Sequence, residues 1–280
     1  MSEGCDPVFG DAAAASPPQR LGVNILGLPA TVVGDPQCLG LLSKLLAPFS
    51  SRAFADPCAA FRQLSDGRYA VETATLCTSG TCEAVADFCE WLLVTQAAIH
   101  CGDHLQLHGG AVQRAEQLIL LPGLSGSGKT TLTLGMMASG FLPLTDDLIL
   151  LDPRQSTVRP FERCFHVDAS TLTIASELGL NKQLILPEAL AQGFCRPRHW
   201  GVSGVPTCIV LPRYCPGAKL ELNRLRPAQA WIALANLCMV TGKSSVHFSA
   251  LSRLVEQTPT YQITYDHLSQ AVETIIQLTQ

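Results

Sequence analysis

Apolar and polar positions between residues 105 and 152 follow a strand, glycine loop, helix, strand order. "LQLHGGAV" and "EQLILLP" read as neighbouring strands, with the polar "QRAE" as a short turn between them. "KTTLTLGMMAS" has helical spacing, and Gly140 is well placed to end that helix. "LPLTDDLILLD" reads as one strand that passes from apolar to acidic and back. Farther on, "PTCIVLP", "KLELNRL" and "YQITY" have strand character, while "AQAWIALANLCMV" and "HLSQAVETIIQLT" have helical character.

The amino-terminal part is patterned differently. "LGVNILGLPATVV" is strand-like, "CLGLLSKLLAPF" is helical, and "SDGRYAVETAT" predicts a turn at Asp66-Gly67 before an alternating strand. "TCEAVADFCEWLLVTQAAIHC" is the clearest helix of this half, with Thr81 as its cap and Gly102 beyond its end. The predicted organisation is a flexible leader over 1–20, a small α/β segment over 21–101, and a main domain over 102–280. Strands alternating with helices make the main domain an α/β core with helices packed around a sheet.

Composition narrows the classes. Of the 280 residues 47% are apolar, enough to bury a sizeable core and inconsistent with general disorder. A net charge of −4 and the lack of an aromatic ladder argue against a strongly basic or base-stacking nucleic-acid binder. No apolar run is long enough to span a bilayer, and the start lacks the basic cluster and apolar core of a secretory signal, so the expected compartment is the cytoplasm. Twelve scattered cysteines without C-x-x-C spacing read as small buried hydrophobes rather than a zinc cluster.

The strongest motif runs from Gly123 through Leu124, Ser125, Gly126, Ser127, Gly128, Lys129 and Thr130 to Thr131, and fits G-x-x-x-x-G-K-[ST]. Glycines let successive backbone N–H groups point at phosphate oxygens, and the following helix N-terminus favours negative charge. Lys129 reaches the outer phosphates, and the Thr130 hydroxyl suits the magnesium that accompanies them. Asp146 and Asp147 follow Lys129 by 17 and 18 residues, and His108 precedes it by 21. Adjacent strand residues point to opposite faces, so such a pair can supply both a metal partner and a base for a substrate hydroxyl.

His100, His104 and His108 also raise a metal reading, which Gly102 weakens by interrupting the run. Arg163 in "RPFERCF" is read as a surface partner of Glu162 in preference to a phosphate clamp. Arg196, Arg198 and His199 in "FCRPRHWG" are read as loop residues, either covering the site or merely solvated.

Together "LHGGAV", "GLSGSGKT", Gly140 and "TDD" resemble, in content and relative spacing, the HPr kinase/phosphorylase family and its related stand-alone serine kinases beside peptide-modification genes. The likeness covers about 45 residues firmly, and a weaker likeness continues through "RPFER", "IVLPRY" and "YQITYDHL". It implies a P-loop core of the HPr kinase and phosphoenolpyruvate carboxykinase type, with ATP and Mg2+ as cofactors. The implied partner is a peptide or small-protein substrate with an acceptor hydroxyl. Carried over, Lys129 grips the β- and γ-phosphates, Thr130 with Asp147 holds Mg2+, Asp146 accepts the hydroxyl proton, and His108 orients the phosphate or the aspartates. The family's downstream glycine-rich signature is absent, which puts HPr as substrate and the reverse reaction in doubt. The loop also looks like that of ATP-dependent carboxykinases, which are much longer, and of adenylylsulfate kinases, which lack the histidine strand. A small-metabolite kinase and a non-catalytic nucleotide-sensing module are the alternatives. Whether the chain forms a homo-oligomer is open.

Overall fold

The computed structural model of the chain describes residues 19–52, 56–185, 193–239 and 244–279. These divide into two units, one ending at His100 and the other starting at Cys101. The leader expected over 1–20 lies outside the described residues through position 18, and Gln19 and Arg20 already belong to the first strand.

In the first unit, the stretch expected as one strand folds back on itself. β1 (Gln19–Ile25) and β2 (Leu28–Gly34) pair antiparallel across a turn in which Leu26 and Gly27 both have positive φ. That turn geometry matches the twist of the strands it joins. Asp35 then caps α1 (Pro36–Leu45), its Oδ1 accepting the N–H groups of Gln37 at 2.9 Å and Cys38 at 3.1 Å. β3 (Ser50–Ser51), β4 (Ala59–Gln63), β5 (Tyr69–Thr73) and β6 (Cys77–Gly80) complete a six-stranded sheet of order β3-β1-β2-β4-β5-β6. α2 (Cys82–His100) follows, and the expected cap is present: the Thr81 hydroxyl accepts the Ala84 N–H at 3.2 Å.

The second unit is built on β7 (Leu105–Arg114) and β8 (Gln117–Pro122), paired antiparallel through the predicted tight turn. α3 (Lys129–Ala138) leaves β8 through the glycine loop, and β9 (Leu142–Thr145) and β10 (Leu148–Leu151) both return along β7. The remaining elements are β11 (Val158–Arg159), β12 (Phe165–His166), α4 (Ala169–Glu177), β13 (Leu184–Ile185), β14 (Phe194–Pro197), β15 (Cys208–Tyr214), β16 (Glu221–Arg224), α5 (Pro227–Ala235), α6 (Ser245–Gln257), β17 (Thr260–Tyr265) and α7 (Leu268–Leu278). The main sheet has the order β11-β10-β7-β8-β15-β17-β16, with β8, β15 and β17 mutually parallel neighbours.

Successive residues of β8 enter opposite cores. Leu118 and Leu120 pack with α5 and α6 residues such as Leu234 and Leu254, while Ile119 and Leu121 pack with α3 and α7 residues such as Leu132 and Ile275. A strand covered on both faces needs the continuous apolar run that "LILL" supplies. α6 was not anticipated, although Ala250, Leu251, Leu254 and Val255 line one buried face after a Ser244 cap. Arg196, expected in a loop, lies in β14, which pairs with β12 and β13 in a small separate sheet.

The expected "LPLTDDLILLD" strand is interrupted at the acidic pair. Thr145 pairs with Ala111 and Leu148 with His108, but Asp146 and Asp147 between them form a bend. The Thr145 hydroxyl accepts the N–H groups of Asp147 at 3.4 Å and Leu148 at 3.3 Å, a local alternative to ladder bonds. Opposite the bend, backbones crowd Gly109, where a Cβ would lie 2.5 Å from Pro122 Cα. Gly109→Ala is therefore expected to cost about 2–3 kcal/mol and lower Tm by roughly 5–10 °C, measured by thermal denaturation. An unchanged Tm would show that the crossing is slack.

Candidate functional site

The glycine loop leaves β8 at Pro122 and enters α3 at Lys129, with left-handed turns at Gly126 and Gly128. Gly128 sits at φ +91°, and a Cβ there would come within 2.5 Å of the Tyr265 hydroxyl. No other residue type fits without moving that ring. The C-terminal ends of two parallel strands hold the loop: Tyr214 N–H donates to the Ser127 carbonyl at 3.0 Å and the Tyr265 hydroxyl to the Gly128 carbonyl at 3.3 Å. The Lys129 ammonium arches across the loop and donates to the Leu124 carbonyl at 2.9 Å. Burial lowers its pKa, and Asp146 and Asp147 oppose that shift. The first-turn N–H groups of an α-helix have no partners within it, so this end of α3 favours negative charge.

Asp146 and Asp147 take different environments because the bend aims them apart. Asp146 is buried, and its Oδ2 accepts the Thr130 hydroxyl at 2.8 Å. Its Oδ1 is also buried and has no hydrogen-bond partner among the described residues. Burial, seconded by the neighbouring Asp147 charge, pushes this carboxyl up to about 6, against the Thr130 hydrogen bond and the Lys129 and His108 charges.

The Asp147 side chain remains 46% exposed, with Oδ1 3.2 Å from His108 Nδ1 and Oδ2 accepting from Arg163 at 2.7 Å. Burial would raise it, but the His108 hydrogen bond and the charges of Arg163 and His108 together hold it at about 2. Asp147 is thus ionised at neutral pH, while Asp146 is within reach of protonation.

Arg163 departs from its expected surface pairing with Glu162. It is buried, joined to Asp147, and its other terminal nitrogen lies 2.8 Å from His166 Nε2. A guanidinium only donates, so His166 Nε2 is the acceptor and carries no proton there. Thr130 and Asp147, expected to share a metal, are not each other's partners; Thr130 is bonded to Asp146. His108, Lys129, Thr130, Asp146 and Asp147 are gathered around one end of the sheet. The three histidines are not gathered: His104 pairs with Asp103 at 2.8 Å, and no triple of close ligand atoms among the described residues includes His100, His104 or His108.

Arg163, which its sequence context marks as a surface residue in preference to a phosphate clamp, completes the surroundings with His166, Tyr214 and Tyr265, to which the sequence alone assigns no role. For the tyrosines the available signal was position, since each ends a strand, β15 or β17, that runs parallel to β8. A divalent cation fits the donor set beside the loop: the Thr130 hydroxyl and the unpartnered Asp146 Oδ1 are hard oxygen ligands.

No protein-family model matches the chain, and no curated protein matches it. Among solved structures, the Hpr(Ser) kinase/phosphatase from Coxiella burnetii matches with a TM-score of 0.31 and 10% identity, over 62% of this chain and 94% of that one. A likeness that distant decides nothing about activity. No helix among the described residues is long and apolar enough to cross a membrane.

Proposed function

We propose that this chain is a Mg2+-dependent phosphotransferase that moves the γ-phosphate of ATP to an alcohol hydroxyl, with serine of a peptide or small protein as the acceptor class. The observation that carries the reading is the division of the aspartates: Asp146 bonded to the loop's Thr130, Asp147 gripped by His108 and Arg163. A nucleotide-binding loop alone needs only the first. The choice of ATP and of a serine acceptor follows the resemblance of the "LHGG", "GLSGSGKT" and "TDD" segments.

In this account the α3 N-terminus and Lys129 bind the β- and γ-phosphates, and Thr130 with Asp146 would hold the cation. Mg2+ there supplies charge neutralisation on the phosphate oxygens. The acceptor oxygen attacks the γ-phosphorus, its proton passes to Asp147, and the bond to the β-phosphate oxygen breaks to release ADP. A carboxylate held at about 2 is a weak base. It orients the hydroxyl first and takes the proton late, when the attacking oxygen has become acidic, as a loose transition state allows. This reverses the roles expected for Asp146 and Asp147 from the resemblance.

Incubation with γ-labelled ATP, Mg2+, serine peptides and a panel of hydroxylated metabolites tests the reading. Labelled phosphoester on a peptide, dependent on Asp147, is the expected outcome; label on a metabolite instead would move the acceptor class. Tight Mg-ATP binding with no effect of Asp147→Asn on any response would favour a nucleotide-sensing module.

Proton and metal compete for Asp146, which gives a pH prediction. At limiting Mg2+, kcat/KM should fall as pH drops below about 6, where the carboxyl takes up its proton. Raising Mg2+ should displace that midpoint downward. An acidic limb insensitive to Mg2+ would remove Asp146 from the cation site.

A further inference from the structure

The proposed transfer uses no side chain of the first unit, yet that unit holds two sulfurs almost in bonding contact. Cys38, in the first turn of α1, and Cys82, the first residue of α2, have their Sγ atoms 2.8 Å apart. Packed non-bonded atoms normally sit about 3.5–4.0 Å apart, and a covalent S–S bond measures about 2.05 Å. The residues are 0% and 3% exposed, so no solvent separates them. Both helix ends are fixed by caps: Asp35 accepts the Cys38 N–H itself at 3.1 Å, and Thr81 precedes Cys82 while accepting from Ala84 at 3.2 Å. The pair is therefore set by two capped helices that pack together, not by a loose loop.

We propose that Cys38 and Cys82 are a covalent cross-linking site, joined as a disulfide by exchange with a small-molecule disulfide. One cysteine sulfur, deprotonated, attacks the oxidant's S–S bond; a mixed disulfide forms and one small thiolate leaves. The second cysteine sulfur then attacks the protein sulfur of that mixed disulfide and expels the other small thiolate. The two cysteines lose two electrons and two protons, and the oxidant becomes two thiols. Burial pushes both thiols above their usual range, so exchange proceeds when the helix ends open and quickens as pH rises. The bond staples α1 to α2 and closes the chain between residues 38 and 82. It stands whether or not the transfer reaction does.

The test uses the full-length chain, incubated with oxidised glutathione at alkaline pH, unfolded in an alkylating agent and digested without reductant. A peptide containing Cys38 joined to one containing Cys82 is expected, lighter by two hydrogens than the sum of the two free-thiol peptides. The Tm of the oxidised chain should lie about 10 °C above that of the reduced chain. Cys82→Ser should abolish both the linked peptide and the Tm gain. The wild-type peptide map decides the matter even if that variant folds poorly. Full alkylation of Cys38 and Cys82, under conditions where the exposed Cys58 and Cys77 acquire glutathione, would overturn the proposal.

Discussion

Asp147→Asn should lower turnover by about 10³-fold while leaving Mg-ATP affinity within about twofold. The asparagine keeps the shape that His108 and Arg163 surround but cannot take a proton at the acceptor oxygen. Binding is expected to survive because the proposed phosphate contacts belong to the loop, Lys129 and Thr130, whereas Asp147 pairs with His108 and Arg163. The substitution also strips Arg163 of its anionic partner, so Tm should fall somewhat. Pre-steady-state phosphoryl transfer beside equilibrium nucleotide binding separates the two effects. An equal loss in affinity and rate would make Asp147 part of the nucleotide site and not the proton acceptor.

The second large effect has opposite signs in function and stability. Asp146→Asn should weaken Mg2+-dependent nucleotide binding by more than about 100-fold, yet raise stability at neutral pH. The sign follows from linkage. The folded-state pKa of Asp146 lies at about 6, above its ordinary value of 3.8, so the native state prefers the protonated form. That contribution is fully present below 3.8 and is lost as pH rises through about 6. Above that point the buried carboxylate costs about 2–3 kcal/mol, which a neutral amide relieves while still accepting from Thr130. Thermal melts of both proteins should diverge at pH 7 and converge near pH 4. Stabilisation of equal size at both pH values would show that the carboxyl's charge is not the cause.

How far the sequence revealed this arrangement depended on whether the information was local. The glycine loop was readable because its spacing, the apolar strand before it and the helix after it all lie within a few residues. β8 was readable for the same reason, since a strand buried on both faces needs an unbroken apolar run. The division of the aspartates was not. Strand alternation predicts opposite faces, but the Thr145 hydroxyl draws the chain into a bend, and the partners that distinguish the two carboxyls come from elsewhere. Arg163 approaches from 16 residues downstream and His108 from the neighbouring strand. Glu162, adjacent in sequence, was the plausible partner for Arg163 only while distance along the chain stood in for distance in space. The Leu26-Gly27 hairpin was hidden differently: its left-handed turn lacks the Asn-Gly or Asp-Gly pair that marks such turns. α6, by contrast, carries a regular apolar spacing at Ala250, Leu251, Leu254 and Val255.

The most direct measurement is a crystal structure of the wild-type chain with Mg2+ and a non-hydrolysable ATP analogue. The cation is expected between Thr130 and Asp146 Oδ1, and the Asp147 carboxylate should face the γ-phosphate in its His108 and Arg163 grip. A cation ligated by Asp147, or a terminal phosphate beyond reach of Asp147, would contradict the proposed division of roles.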